Sequence, residues 1–246
     1  MTILSLDSVS KQYAATSALD DVSLDFPEGE ITAVIGRSGC GKSTLLKVCN
    51  GLVLPDAGQV RVFNKPLDYS SLPPLRRRLG YAVQGTGLFP HLDARQNIVL
   101  LASLDGWSSA AIEQRVTELQ QLTQLQDDQL AKFPHQLSGG QQQRVGLCRA
   151  MMLRPEILLL DEPFAAIDPI TRLDIHRQLL FMHRAEPTTA VLITHDMGEA
   201  MRLADHIVIM DEGRICRSNP KAVLQQEHPG IEPQELLQSL MSGPGQ

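Results

Sequence analysis

A chain of 246 residues, 43% hydrophobic and 20% charged, has the length and apolar content for one large domain or two small ones, which excludes a disordered polypeptide. Its 28 acidic and 22 basic residues give a formal charge of -6, so no global attraction to a phosphate backbone is expected and nucleic acid is a poor partner. Four scattered cysteines, Cys40, Cys49, Cys148 and Cys216, lack the paired spacing of a disulfide framework or a zinc site and are read as reduced thiols.

The start, Met1-Thr2-Ile3-Leu4-Ser5-Leu6-Asp7, has no basic segment followed by an apolar core. No apolar stretch approaches the roughly 20 residues that span a bilayer, so the chain is expected to be cytoplasmic and soluble by itself. Residues 2–6 and 22–26 alternate apolar and polar, which predicts two half-buried antiparallel strands with Tyr13 in the connection between them. Pro27-Glu28-Gly29-Glu30 reads as a turn.

The stretch Gly36-Arg37-Ser38-Gly39-Cys40-Gly41-Lys42-Ser43-Thr44 dominates the chemistry. It follows the apolar run Ile31-Thr32-Ala33-Val34-Ile35 and precedes the helical pattern Leu45-Leu46-Lys47-Val48-Cys49, which stops at Gly51. Strand, glycine loop and helix in that order are the context of a phosphate-binding P-loop. Glycines let successive N–H groups turn inward, Lys42 adds a cation and the helix N-terminus adds partial positive charge. Cys40, beside Lys42 and that helix N-terminus, is expected to be more acidic than an ordinary thiol, and its alkylation to occlude the nucleotide.

Beyond the loop, residues 59–63 alternate again, and residues 79–83 read as a buried strand ending at Gln84. From 85 to 154 the pattern turns helical, with Ile112, Val116, Leu119 and Leu122 sharing one face of a helix over 110–125. Sheet-like runs return at Ile157-Leu158-Leu159-Leu160, Ala190-Val191-Leu192-Ile193 and Ile207-Val208-Ile209-Met210, short and fully apolar, as in a parallel sheet covered on both faces. The tail carries one helix-like piece over 235–241, and Gly243-Pro244-Gly245 is expected to fray.

Ligands of open parallel sheets bind at the carboxyl ends of the strands, so the polar residues following each run carry the information. These are Gly36, Gln84, Asp161 with Glu162, and His195. Asp161 suits magnesium, held through water beside the Ser43 hydroxyl, because hard cations take oxygen ligands. Glu162, in an apolar frame, is the candidate general base for a water aimed at the terminal phosphate. His195 is placed to hydrogen-bond that phosphate or the attacking water. A second glycine motif, Leu137-Ser138-Gly139-Gly140-Gln141, opens a further helical run, and by its residues alone reads equally as a second anion nest or as a simple glycine turn.

With these motifs in this order, the chain resembles the ATP-binding subunit of ABC transporters over nearly its whole length. Tyr13 matches the aromatic that stacks on adenine, residues 36–44 the Walker A loop, Gln84 the Q-loop and residues 137–141 the family signature. Residues 157–162 resemble Walker B, Ala166-Ile167-Asp168 the D-loop, and His195 the switch histidine. The D-loop departs mildly, with Ile167 where leucine is commoner, and keeps Asp168.

The resemblance implies an α/β fold of the P-loop NTPase type: a RecA-like core with a mixed sheet, an antiparallel β subdomain and an α-helical insertion. In this reading 1–246 is a single ATP-binding domain, with 1–84 and 155–218 as catalytic core, 85–154 as helical subdomain and 219–246 as helical tail. It further implies ATP and Mg2+ as ligands, with Ser43, Gln84 and Asp161 serving the metal and Glu162, His195 and Gln84 the hydrolysis. Two copies, or one copy and a homologous ATPase, are implied to meet head to tail, so that the signature of one closes over ATP on the loop of the other. The pair would lie peripherally on the inner face of the cell membrane under a permease, with a substrate-binding protein as indirect partner. Leu88 and Phe89 are candidates for docking the permease.

Residues 78–91 and 161–172 look most like the bacterial importers of glycine betaine and related quaternary amines. An ATPase for another small solute, such as an amino acid or polyamine, is the alternative. A relative acting on nucleic acid fits neither the length nor the charge, and Glu162 with His195 argues against a non-hydrolysing scaffold.

Overall fold

Alternating hydrophobicity and short apolar runs organise the computed structural model, which describes residues 2–14, 16–85, 87–165 and 167–241. In chain order the elements are β1 (Thr2–Tyr13), β2 (Thr16–Pro27), β3 (Ile31–Ile35), α1 (Lys42–Cys49), β4 (Ala57–Val62), β5 (Lys65–Pro66), α2 (Leu72–Arg76) and β6 (Leu79–Ala82). They continue with α3 (Ala94–Leu104), α4 (Ser109–Thr123), α5 (Asp127–Leu130), α6 (Gly139–Met151), β7 (Ile157–Asp161) and α7 (Pro169–Ala185). The last are β8 (Thr189–Thr194), α8 (Met197–Leu203), β9 (His206–Asp211), β10 (Arg214–Pro220), α9 (Lys221–Glu227) and α10 (Pro233–Met241). The chain divides into two compact units, one running to Pro74 and resuming at Thr189, the other Leu75–Thr188.

The first unit holds an antiparallel sheet in the order β2-β1-β4-β5 and strands in the order β10-β9-β3-β8. There β3 is parallel to both β8 and β9, while β10 is antiparallel to β9. All residues of β3 and β8 are buried. Strands covered on both faces lose the polar alternation, which is why they read as continuous apolar runs. Each Ile, Leu or Val so buried stabilises the fold by about 1.5–3 kcal/mol.

β1 and β2 are longer than expected, twelve residues each, and Tyr13 is the last residue of β1, paired with Thr16, rather than part of a long connection. Register shifts between Leu6 and Val9 and between Val9 and Lys11, with Ser8 at φ 49, break the two-residue period and hide the continuation of the strand. The two-residue loop between β4 and β5 has Phe63 and Asn64 at positive φ, as a mirror-image hairpin turn requires. In the tail, α9 was not foreseen, since seven residues carry too little periodicity, whereas α10 matches the expected piece. Residues 243–245 lie outside the described residues.

In the second unit β6 and β7 pair in parallel. The helical character of 85–154 is that of α3, α4, α5 and α6. Along α4, Ile112, Val116 and Leu119 are buried as their spacing predicts, whereas Leu122 is half-buried on the rim of a groove of about 580 Å³ between α4 and α7.

Arg115 of α4, 1% exposed, donates through Nη2 to the Met151 carbonyl at 2.7 Å and to Glu186 Oε2 at 2.7 Å, and its Nη1 also pairs with Glu186 and Glu118. Arg154 bonds both carboxylates from outside. This network ties α4 to the carboxyl end of α6 and to the residue that ends α7. Truncating one partner of a buried ion pair strands the others, so Arg115→Ala should lower unfolding free energy by about 3 kcal/mol, read as an earlier denaturant midpoint at unchanged slope.

Candidate functional site

The first site element grows from β3. After Ile35 the chain turns through residues 36–41 into α1, and two glycines are required there by close backbone approach. A Cβ at Gly36 would stand 2.1 Å from the Met210 carbonyl oxygen, and one at Gly41, where φ is +107, would stand 2.0 Å from the Ala18 carbonyl oxygen. Lys42 is 4% exposed, and its Nζ donates to the carbonyls of Gly36 and Arg37 at 2.8 Å each. α1 has neither a side-chain cap nor an acidic residue in its first turn, so its dipole favours an external anion. Arg37, Ser38 and Gly39 are exposed at the mouth, and Ser43 and Thr44 occupy the first turn of α1. A buried ammonium beside an uncapped helix N-terminus, in a loop whose mouth is exposed, is chemistry that suits a polyphosphate.

The same unit places His195 beside this loop. β3 and β8 run parallel with Ile35 opposite Thr194, so Gly36 and His195 leave adjacent strands at one level. His195 is exposed, and Asp196 caps α8 by accepting from the backbone N–H groups of Gly198 and Glu199. Tyr13, 46% exposed at the end of β1, has the Lys11 ammonium over its ring, 5.7 Å from the centroid.

In the second unit Gln84 follows β6, Asp161 ends β7 and Glu162 follows it, and the two strands are adjacent and parallel, paired as Ala82 to Leu160. Gln84 is exposed, Asp161 is 6% exposed and Glu162 is half-buried. Burial, with the Asp161 charge adding to it, pushes the Tyr81 hydroxyl up to about 12. Glu162 has φ 44, a left-handed backbone uncommon outside glycine. Phe164 packs edge-on against the His176 ring, with centroids 4.4 Å apart, and anchors the segment that follows. Asp168 accepts from Thr171 N–H at 3.0 Å as the cap of α7, and that backbone bond holds its carboxyl below the usual range. Ala166 of the D-loop lies outside the described residues.

The second glycine motif opens α6. Leu137 is buried, and Ser138 and Gln141 form a reciprocal capping box: Ser138 Oγ accepts from Gln141 N–H, and Gln141 Oε1 accepts from Ser138 N–H at 2.9 Å. Ser138 and Gly139 are exposed, so this helix N-terminus faces solvent. A Cβ at Gly140 would stand 2.3 Å from Thr171 Cγ2, which makes this glycine the seat of α7 against α6.

Some of the site's supports escaped the sequence reading. Asn97, fully buried, donates from Nδ2 to the carbonyls of Phe89, Leu92 and Asp93 and accepts from Phe89 N–H at 2.8 Å, fixing the loop that exposes Phe89. Its signal was faint, one polar residue on an apolar helix face.

Cys40 corrects an expectation. Burial pushes its thiol up, outweighing the ammonium and hydrogen bonds of Lys42, and Asp211 adds in the same direction. At 7% exposed it is a poor nucleophile, because only the thiolate reacts. With iodoacetamide near neutral pH, exposed Cys216 should be labelled first, with Cys40 lagging by roughly tenfold or more and catching up as pH rises; peptide mass spectrometry measures both.

The family model described as ABC transporter matches residues 19–165. Over 223 residues the chain is 45% identical to the glycine betaine uptake system ATP-binding protein YehX of Escherichia coli K12, covering 90% of this chain and 72% of that protein. It is 40% identical to the glycine betaine/carnitine/choline transport ATP-binding protein OpuCA of Bacillus subtilis 168, covering 91% of this chain but 59% of that longer protein. Among solved structures, the dimeric bacterial ABC transporter cassette MJ0796 superposes with a TM-score of 0.81 at 32% identity, over 89% of this chain and 98% of that one. A P-loop built on β3, a capped signature helix and the strand-end carboxylates are thus carried by a chain that belongs to the ABC transporter family of ATP-binding proteins.

Proposed function

We propose that the chain is the ATP-hydrolysing subunit of an ABC import system, for which the supporting observation is the cradle around Lys42, a buried cation ringed by backbone in a loop that faces solvent. Lys42 and the amides of residues 36–44 hold the polyphosphate, and Tyr13 stacks on the base. Glu162 orients and deprotonates the attacking water, a role suited to a half-buried carboxylate, while His195 and Gln84 contact the terminal phosphate. Ser138, Gly139, Gly140 and Gln141, with Leu137 anchoring the turn, complete the site of a second copy, which binds head to tail, and Asp168 serves as the D-loop residue. ATP held only in the closed pair stabilises it by mass action.

Magnesium fits the chemistry of the donor set assigned to it, Ser43 hydroxyl, Gln84 amide oxygen and Asp161 carboxylate, all hard oxygens. When bound it neutralises phosphate charge.

The transported solute is a quaternary amine such as glycine betaine, by likeness to YehX and OpuCA. The partners are a second copy or a homologous ATPase, an integral membrane permease and, indirectly, a substrate-binding protein, which together carry solute choice. No described helix is long and apolar enough to cross a membrane. In this reading the permease holds the chain at the inner face of the cell membrane. The whole chain acts as one ATP-binding domain, with 85–154 as its helical part and 219–246 as its tail.

Replacing Glu162 by Gln removes the base and keeps the shape. Phosphate release should fall by roughly 100-fold or more while ATP still binds, and light scattering should show dimer accumulating with ATP. Wild-type turnover in this variant would overturn the assignment.

A further inference from the structure

We propose that Thr194 and Glu199 are positioning residues that set the geometry of the His195 turn through a hydroxyl relay, an inference that rests on the role given to His195 above. Thr194 closes β8, is 2% exposed and lies opposite Ile35, the last residue before the phosphate loop. Its Oγ1 donates to Glu199 Oε2 at 2.6 Å and accepts from Asp196 N–H at 3.0 Å. A hydroxyl has one proton; because that proton goes to Glu199, the lone pairs face the Asp196 amide. Asp196 in turn accepts through Oδ1 from Gly198 N–H at 2.7 Å and Glu199 N–H at 3.2 Å.

The result is a closed ring through 194, 196 and 199, with exposed His195 between its first two members and the peptide that follows it held by the Thr194 hydroxyl. The spacing Asp196-x-x-Glu199 would ordinarily give a capping box in which the glutamate returns to the cap residue's own N–H. Here the Thr194 hydroxyl stands between them, so the cap of α8 is locked to the sheet rather than to itself. Glu199 is only 6% exposed. A carboxylate buried this far costs free energy that an apolar residue would spare, so holding the helix alone does not account for it. Fixing a phosphate-contacting side chain to a fraction of an ångström does.

The test is steady-state phosphate release by the full chain over an ATP titration with magnesium, alongside equilibrium ATP binding. Thr194→Val keeps volume and removes the relay; kcat should fall by roughly 10- to 100-fold, the loss expected when a contacting group is misplaced by about 1 Å, with KM and ATP affinity held within about twofold. Thr194→Ser restores the hydroxyl and should return kcat to within about twofold of wild type. In a His195→Ala background, Thr194→Val should add nothing further, since both act through one side chain. Glu199→Gln serves as a second variant should Thr194→Val not fold, with a kcat loss of roughly fivefold expected at unchanged ATP affinity. Wild-type kcat in Thr194→Val or Glu199→Gln, or a loss that multiplies with His195→Ala, overturns the relay. Wild-type turnover in His195→Ala alone overturns instead the role of the histidine.

Discussion

A single desolvated ammonium governs the first unit. Lys42 is held by two carbonyls of its own loop, and that arrangement exists only because the loop passes within van der Waals limits of other main chain: Gly36 against the Met210 carbonyl, Gly41 against the Ala18 carbonyl. The turn after β9 binds both sides, since Gly213 donates its N–H to the Cys40 carbonyl and accepts at its own carbonyl from Asp20 N–H. The cradle is therefore built from backbone on three strands. Its amides are fixed before any anion arrives, which is the condition for electrostatic stabilisation without reorganisation.

The second unit applies the same economy with side chains. α6 begins with a reciprocal capping box and ends on carbonyls gripped by buried Arg115, so the exposed Ser138-Gly139 turn is anchored from its far end. Asp161 and Glu162 differ by one residue and by environment. The first completes a wholly buried strand, while the second turns out at positive φ, half-buried. One sequence step thus separates a carboxylate suited to a hard cation from one suited to a water molecule.

The parallel strands and the glycine motifs were legible because each is local and contiguous: a short apolar run followed at once by polar groups. The lengths of β1 and β2 were not, because bulges at Ser8 and around Lys11 shift the facing of every later side chain by one. Cys40 was misread for a different reason. Its neighbours in the chain, Lys42 and a helix N-terminus, make a thiol more acidic, whereas burial in the folded chain wins and the charge of Asp211, distant in sequence, adds to it. Asn97, Thr194 and Glu199 stayed hidden because a single buried polar residue on a helix or at a strand end has no periodic signature.

Residues 36–44, 137–141, 157–162 and His195 determined by themselves the fold class, the P-loop and the family, since phosphate binding by backbone demands glycine at set spacings and those spacings are written consecutively. What the tertiary structure alone decided is which groups are desolvated and what holds them: the protonated, sheltered Cys40, the Asn97 clamp, the Arg115 network and the hydroxyl relay at His195. Burial and hydrogen-bond partnership are sums over residues far apart in the chain, and no local pattern carries them.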